Sequence, residues 1–296
     1  MPPHPHLSAI RRLSPCATPA RGLLSRCSSA ATRTFYSSSS PSTEAVWPPP
    51  TPPPTRWCSD LEARIGKCIA FGCSPEQARR AAAVIKTLTD EWRPLTAGCS
   101  GFIASPKGGL EGQKVVWGEM DSFGHVNNVQ YNRYAESSRV NWILNFGGLD
   151  PMNKEMWAKL MKPGGLGLIM KSLTTEFKFP MTYPDTISVY HKLSKSISPG
   201  ATLLNLECII LSHQHRRIAA TTNESVVVYD YETAERAAVP RLAFPILREV
   251  WDQQNKEMNL ARQKVWNLIR EVAAIEMETW NRAGAIEDMG SAATES

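Results

Sequence analysis

The sequence predicts an α+β fold in which antiparallel strands lie beside one long, enclosed helix, with helical extensions at both ends. Three observations support this. A strand-like run at 113–118 leads through a tight turn into a helical pattern at 128–146. Four strand candidates follow in series, at 167–178, 185–195, 201–212 and 216–230. The flanking stretches, 57–92 and the part after Pro245, carry apolar residues at helical spacing.

The first 36 residues read as an address. They hold Arg11, Arg12, Arg21, Arg26 and Arg33, many serines and no acid, the composition of a mitochondrial presequence. Arg33–Thr34–Phe35–Tyr36–Ser37 resembles a matrix-protease cleavage site, so the expected location is the mitochondrial matrix. A basic tail for anionic surfaces is the alternative. These five arginines equal the formal net charge of +5, so the remaining 28 basic residues balance all 28 acids. The body lacks the basic excess of a nucleic-acid binder. No apolar run reaches the roughly 18 residues that span a bilayer.

A Ser/Pro-rich linker follows at 37–56, stiffened by Pro48–Pro49–Pro50–Thr51–Pro52–Pro53–Pro54. The expected organisation beyond it is a helical extension over 57–112, a central domain over 113–240 and a second helical extension over 241–296. The seven cysteines contain no Cys-x-x-Cys pair, which argues against a zinc site, and a reducing matrix argues against a disulfide framework. No metal or other cofactor is expected.

In the first extension, Ser59–Ala70 forms a short helix. Ser74 then caps a second helix with Pro75 at its first position, and Ala78, Ala81, Ala82, Ile85, Leu88 and Trp92 recur along it. The Gly-rich stretch 98–112 reads as a loop. The long helix starts at a cap on Asn127 or Asn128 and stops at Gly147–Gly148. Its few charges, Arg133, Glu136 and Arg139, mark it as enclosed. A short helix near Lys154–Met161 ends at Pro163–Gly164–Gly165. Ile187, Val189 and Leu193 alternate with Ser188, Lys192 and Ser194, as a half-buried strand requires. Short connections at Tyr183–Pro184–Asp185, Ser198–Pro199–Gly200 and His213–Gln214–His215 favour an antiparallel meander. The stripe Met258, Ala261, Val265, Ile269 and Val272 either packs on this protein or docks a partner.

The chemistry concentrates in the turn between the first strand and the long helix. Asp121 and His125 stand four residues apart beside a helix N-terminus. Such a terminus presents unpaired N–H groups and a partial positive charge. A carboxylate beside it can attack a carbonyl or activate water while the N–H groups hold the oxyanion. The plainer alternatives make Asp121 and His125 turn residues. Glu136 shares a helix face with Val129, Val140 and Ile143, so it pairs with Arg139 or Arg133, or it is a second carboxylate facing substrate. Asn127 and Asn128 are caps or substrate contacts. His213 and His215 form a solvated turn or a metal pair, and His191 is a satisfied core residue.

Trp117–Gly118–x–Met120–Asp121–x–x–Gly124–His125–Val126–Asn127–Asn128–x–x–Tyr131–x–x–Tyr134–x–Glu136–x–x–Arg139 resembles the signature of the 4-hydroxybenzoyl-CoA thioesterase-like family. Phe177–x–x–Pro180–x–x–Tyr183–Pro184–Asp185 and Val228–Tyr229–Asp230 resemble two further blocks. The resemblance covers about 113–240, and the whole chain looks like a fungal-type mitochondrial member. It implies a hotdog fold, in which an antiparallel sheet wraps the central helix. It also implies cofactor-free hydrolysis of acyl-CoA or acyl-carrier-protein thioesters. Asp121 takes the place of the catalytic carboxylate, and His125 matches a histidine of the related plant acyl-carrier-protein thioesterases. The N–H groups of Asn128, Val129, Gln130 and Tyr131 stand where the substrate carbonyl is polarised. Glu119 stands where the family often has Asp, and Phe123 where the plant enzymes have Asn. These departures and the helical additions leave a second class open, a non-catalytic scaffold in a mitochondrial assembly with a protein partner. A dehydratase on the same fold is a third. The expected assembly is a homodimer or a dimer of dimers, with the active site at the subunit contact and the extensions covering sheet ends or adding to the contact.

Overall fold

The computed structural model describes residues 50–287. The expected presequence and most of the Ser/Pro linker lie outside those residues.

The chain opens with α1 (Trp57–Ala70) and α2 (Pro75–Cys99). Ser74 caps α2 in both directions. Its Oγ accepts from Gln77 N at 3.3 Å, and its own N–H donates to Gln77 Oε1 at 2.8 Å. The helix runs past Trp92 through Pro94 to Cys99. An internal proline costs roughly 3 kcal/mol. Here Leu95, Ala97 and Cys99 are buried beyond it, and a Leu-sized side chain alone recovers about 1.5–3 kcal/mol.

Strand β1 (Gly109–Val115) begins inside the stretch expected to be a loop and stops short of Gly118. Gly109 lets the strand approach β3 closely, since a Cβ there would lie 2.5 Å from Val189 O. Val116 leaves the strand because its N–H turns back to Glu119 Oε2 at 2.8 Å, and Trp117–Glu119 coil into a single 3-10 turn. Helix α3 (Asn128–Leu149) continues through Gly147, which abuts the next short helix, α4 (Lys154–Lys159). A Cβ on Gly147 would stand 3.2 Å from Lys154 Cγ, so this glycine permits close packing and does not end the helix.

Five strands follow: β2 (Leu166–Phe177), β3 (Asp185–Leu193), β4 (Leu203–Ser212), β5 (Arg217–Asp230) and the two-residue β6 (Glu235–Arg236), which pairs with the end of β5. The sheet order is β1-β3-β4-β5-β2, with every pairing antiparallel. Only β3, β4 and β5 form the expected meander. β2 pairs with β5 instead of β3, with Leu166 opposite Asp230 and Phe177 opposite Ala220. The link from β2 to β3 therefore crosses three strand spacings, about 14 Å at 4.8 Å each. Helix α5 (Phe244–Glu278) closes the chain and is about 52 Å long at 1.5 Å per residue.

The sheet is covered on both faces. Val189, Cys208 and Ile210 meet Tyr131, Tyr134 and Ala135 of α3. Their strand neighbours Tyr190, Ile209 and Leu211 point the other way, onto α1, α2 and the C-terminal half of α5. This is the period-2 alternation of a strand buried on both sides. A third cluster joins Trp142 and Phe146 of α3 to Leu204, Leu206, Val226 and Val228 of the sheet and to Leu247 and Val250 of α5. The arrangement is the hotdog fold, α+β, with an added helical layer on the outer sheet face. The stripe on α5 packs on this chain, with Ala261, Val265, Val272 and Ile275 buried against α1 and α2.

Candidate active site

The turn expected to carry the chemistry is held almost entirely by backbone. Asp121 N donates to His125 O at 2.8 Å, Gly124 N to Asp121 O at 3.0 Å and Asn127 N to Glu119 O at 2.9 Å. Gly124 has φ 73°, in the left-handed region that glycine enters without strain. Val126 N donates to Met181 O at 2.9 Å, and Met181 N donates to the buried Tyr131 hydroxyl at 3.2 Å. The first motif is thereby fastened to the second block.

Asp121 is half-buried. Its Oδ1 accepts from Phe123 N at 2.9 Å. Among the described residues, Oδ2 has no hydrogen-bond donor, so one carboxylate oxygen remains open. Asn127 is the cap of α3, and Asn128 is the first helical residue. Asn127 Oδ1 accepts from Val129 N and Asn127 O from Gln130 N, each at 2.9 Å. These two donors were expected to face substrate and are already engaged. The exposed Asn128 N–H has no acceptor among the described residues.

The remaining expected site residues divide into two groups. His125 and Val129 are exposed near the turn, and Val129 keeps 61% of its surface accessible. Tyr131 is turned into the core, where burial, foremost, pushes its phenol up. Glu136 is exposed two turns into α3. It does not pair with Arg139, because Arg139 reaches across the sheet to Glu224. The expected apolar stripe around Glu136 is absent too, with Val129 exposed and only Ile143 fully buried. Tyr134, behind the turn, has its phenol raised by burial first and then by the Glu119 carboxylate. Glu119 lies beside the hydroxyl without making a hydrogen bond of normal geometry.

Several large apolar side chains of the turn and of the segments that follow it are exposed. Trp117 is 76% exposed and Phe123 82%, and Val116, Phe177 and Tyr183 are also exposed.

A buried polar cluster under α3 was not anticipated as a unit. Ser138 Oγ lies 2.9 Å from Val189 O and 3.0 Å from His191 Nδ1. His191 Nε2 lies 3.3 Å from Glu224 Oε1, which also accepts from Thr222 Oγ1 at 3.1 Å. Arg139 Nη1 donates to Glu224 Oε2 at 2.8 Å. Burial holds the His191 ring below its ordinary value. Burial also acts most strongly on Glu224, upwards, but hydrogen bonds and opposite charge bring it net below the usual carboxylate range. A buried, neutral His191 supplies little of that charge, so the Arg139 guanidinium keeps Glu224 ionised. The sequence signal was the phase of β5, where Glu224 occupies the same buried face as Thr222, Val226 and Val228.

The two histidines of the β4–β5 turn have protein contacts. His213 Nε2 lies 2.9 Å from Ser188 Oγ with Trp92 edge-on, and His215 meets the Phe179 ring. Among the described residues, no group of three or more His, Cys, Asp or Glu side chains is placed to hold a metal ion, and no helix is long and apolar enough to cross a membrane.

Residues 115–250 match the family model of the thioesterase-like superfamily. Three solved structures show the kind of protein this segment is similar to. One is a thioesterase from Thermus thermophilus complexed with coenzyme A and zinc, 16% identical over 49% of this chain and 96% of that one, with TM-score 0.37. Another is a DHNA-CoA thioesterase from Staphylococcus aureus, 19% identical over 48% and 87%, with TM-score 0.36. The third is YbaW, a probable thioesterase from Escherichia coli, 18% identical over 48% and 94%, with TM-score 0.36. No curated protein matches the chain.

Proposed function

We propose that this chain hydrolyses acyl thioesters of CoA or acyl carrier protein in the mitochondrial matrix. One observation carries the reading. A half-buried Asp121 with an open carboxylate oxygen stands at the entrance of α3, where the Asn128 N–H is also open, inside the stretch that matches the thioesterase-like superfamily.

In the general-base form, Asp121 takes a proton from water as the water oxygen bonds to the thioester carbon. Negative charge on the carbonyl oxygen faces Asn128 N–H. Collapse breaks the C–S bond, and the proton returns from Asp121 to the leaving thiolate. In the nucleophilic form, Asp121 itself bonds to the carbonyl carbon and expels the thiolate, and water then hydrolyses the mixed anhydride. One oxyanion donor is worth about 3–4 kcal/mol in other enzymes. Both forms therefore depend on the helix terminus as well as on the carboxylate.

The apolar surface formed by Trp117, Phe123 and Tyr183 suits a second copy of the chain, which would enclose the turn and complete an acyl channel. The scaffold alternative draws on the departures at Glu119 and Phe123 and on the helical additions; of these, the α5 stripe is buried within this chain and offers no docking face. Matrix location rests on the five arginines without an acid in 1–36. A mature protein that still begins at Met1 would contradict it.

The test is a panel of acyl-CoAs of graded chain length, with free thiol as the readout. Turnover of at least one chain length supports the reading. No thiol release from any acyl-CoA or acyl carrier protein would contradict it.

A further inference from the structure

Two adjoining cavities lie on the outer side of the sheet, where the proline strap and α1 meet the turn between β4 and β5. The first encloses about 310 Å³ between Pro52, Pro53, Pro54, Trp57 and Ile218, with Lys178 and Arg217 also in its lining. The second is an open groove of about 350 Å³ lined by Arg56, Glu62, His215, Arg216 and Arg217. Arg217 belongs to both. Each volume reaches the lower end of the range for small-molecule sites, about 300–1,000 Å³.

The strap is a fixed wall. Arg262 Nη1 donates to Pro50 O at 3.0 Å, Trp266 Nε1 to Thr51 O at 2.8 Å and Trp57 N to Pro54 O at 3.1 Å. A proline-rich segment makes no hydrogen bonds of its own, so these anchors set its position. In the wall of the first cavity, the buried Thr96 Oγ1 has no hydrogen-bond partner among the described residues. Such a group calls for an explanation.

The second cavity carries excess positive charge. Glu62 pairs with Arg216. Among the described residues, no carboxylate lies within ion-pair distance of Arg56 or Arg217. Arg217 is instead held over the Phe179 ring at 4.1 Å. Arg216 keeps φ 47°, a conformation a glycine would adopt without strain, and the turn nevertheless places two arginines in succession. Lys178 is exposed and paired with Glu176. No residue of the Asp121 turn lines either cavity.

An apolar chamber that shares a wall arginine with a cationic one fits a molecule with the same two parts. We propose that the two cavities form one binding site for a single-chain amphiphile with an anionic head. Its tail lies under the proline strap, and its carboxylate or phosphate head sits between Arg56 and Arg217. The site needs the segment before residue 115, so it belongs to the helical addition. It stands independently of the hydrolase reading.

The test is titration calorimetry on the full chain with dodecanoate, dodecyl phosphate and neutral dodecanol, below their aggregation concentrations. The expected result is one molecule per chain, with at least one anion binding tenfold or more tighter than dodecanol. The two anions distinguish a fatty-acid from a phosphate-headed source. Arg56→Gln and Arg217→Gln should each weaken the tighter anion by about tenfold. Ile218→Trp should block it by filling the chamber, and Asp121→Asn should leave it unchanged. Thermal unfolding checks that each variant is folded, and Arg56→Gln, on an exposed side chain, keeps the test available if the others are not. Failure of both anions to bind, equal binding of dodecanol, or binding unchanged in the arginine variants would overturn the proposal. So would self-association lost in the same variants, which would make the occupant a second copy.

Discussion

Arg139 of α3 donates to Glu224 of β5 across 2.8 Å, joining two residues 85 positions apart beneath the helix. The Glu224 side chain is wholly buried and that of Arg139 is 13% exposed. This pair ties the helix that carries the candidate site to an interior strand of the sheet.

Removing one partner of a buried pair leaves an uncompensated charge, which costs about 3–5 kcal/mol. Arg139→Met should therefore lower unfolding stability by that amount in a denaturant titration. Replacing both residues, Arg139→Met with Glu224→Met, should restore much of the loss. A single variant as stable as the parent would show that the pair is not formed.

The same cluster predicts a pH dependence. The folded state holds His191 below its ordinary value, so the unfolded chain binds the proton more readily. This contribution to stability is full above the unfolded value, about 6.5, and is lost as pH falls towards the folded one. Glu224, also lowered in the folded state, adds a second loss below about 4.5. The unfolding free energy should fall between pH 7 and pH 5, and His191→Gln should flatten that slope. Equal slopes in both proteins would remove His191 from the account.

The outer helical layer is tightly packed. A Cβ on Gly98 would lie 2.8 Å from Ala261 Cβ, where α2 crosses α5. Gly98→Val should therefore cost about 1–3 kcal/mol through overpacking. Ile275→Ala, at a position with no exposed surface, should cost about 2–5 kcal/mol. If α5 instead served mainly to dock a partner, neither change would alter the stability of the isolated chain.

The exposed apolar surface around the turn predicts self-association. Sedimentation at micromolar concentration should show a dimer or larger species. Phe123→Asp, at a side chain 82% exposed, should shift it towards monomer while leaving the secondary structure unchanged by circular dichroism. A parent protein that is monomeric and fully active would contradict the expected subunit contact.

The legible parts of the site were local in sequence. The cap at Asn127, the tight turn at Gly124 and the carboxylate at Asp121 all fall within seven residues, and their spacing specifies the turn. The capping box at Ser74 was legible for the same reason. What escaped was non-local. Nothing near β2 specifies that it pairs with β5, because the choice depends on how the sheet curls around α3. The spacing of Val129, Val140 and Ile143 puts Glu136 on an apolar face, yet Val129 is exposed at the first turn of α3 and only Ile143 is fully buried. The partner of Arg139 lay 85 residues away on a strand whose buried phase had to be established first. The α5 stripe was visible, but its partners on α1 and α2 were not.

The most direct measurement is the rate of thiol release by Asp121→Asn on whichever acyl-CoA the parent turns over fastest. The substitution keeps the shape of the side chain and its acceptor for Phe123 N while removing the charge a base or nucleophile needs. The account predicts a loss in kcat of at least about a hundredfold, the lower end for acid–base catalysis, with the fold unchanged. A folded Asp121→Asn protein that retains full activity would contradict it.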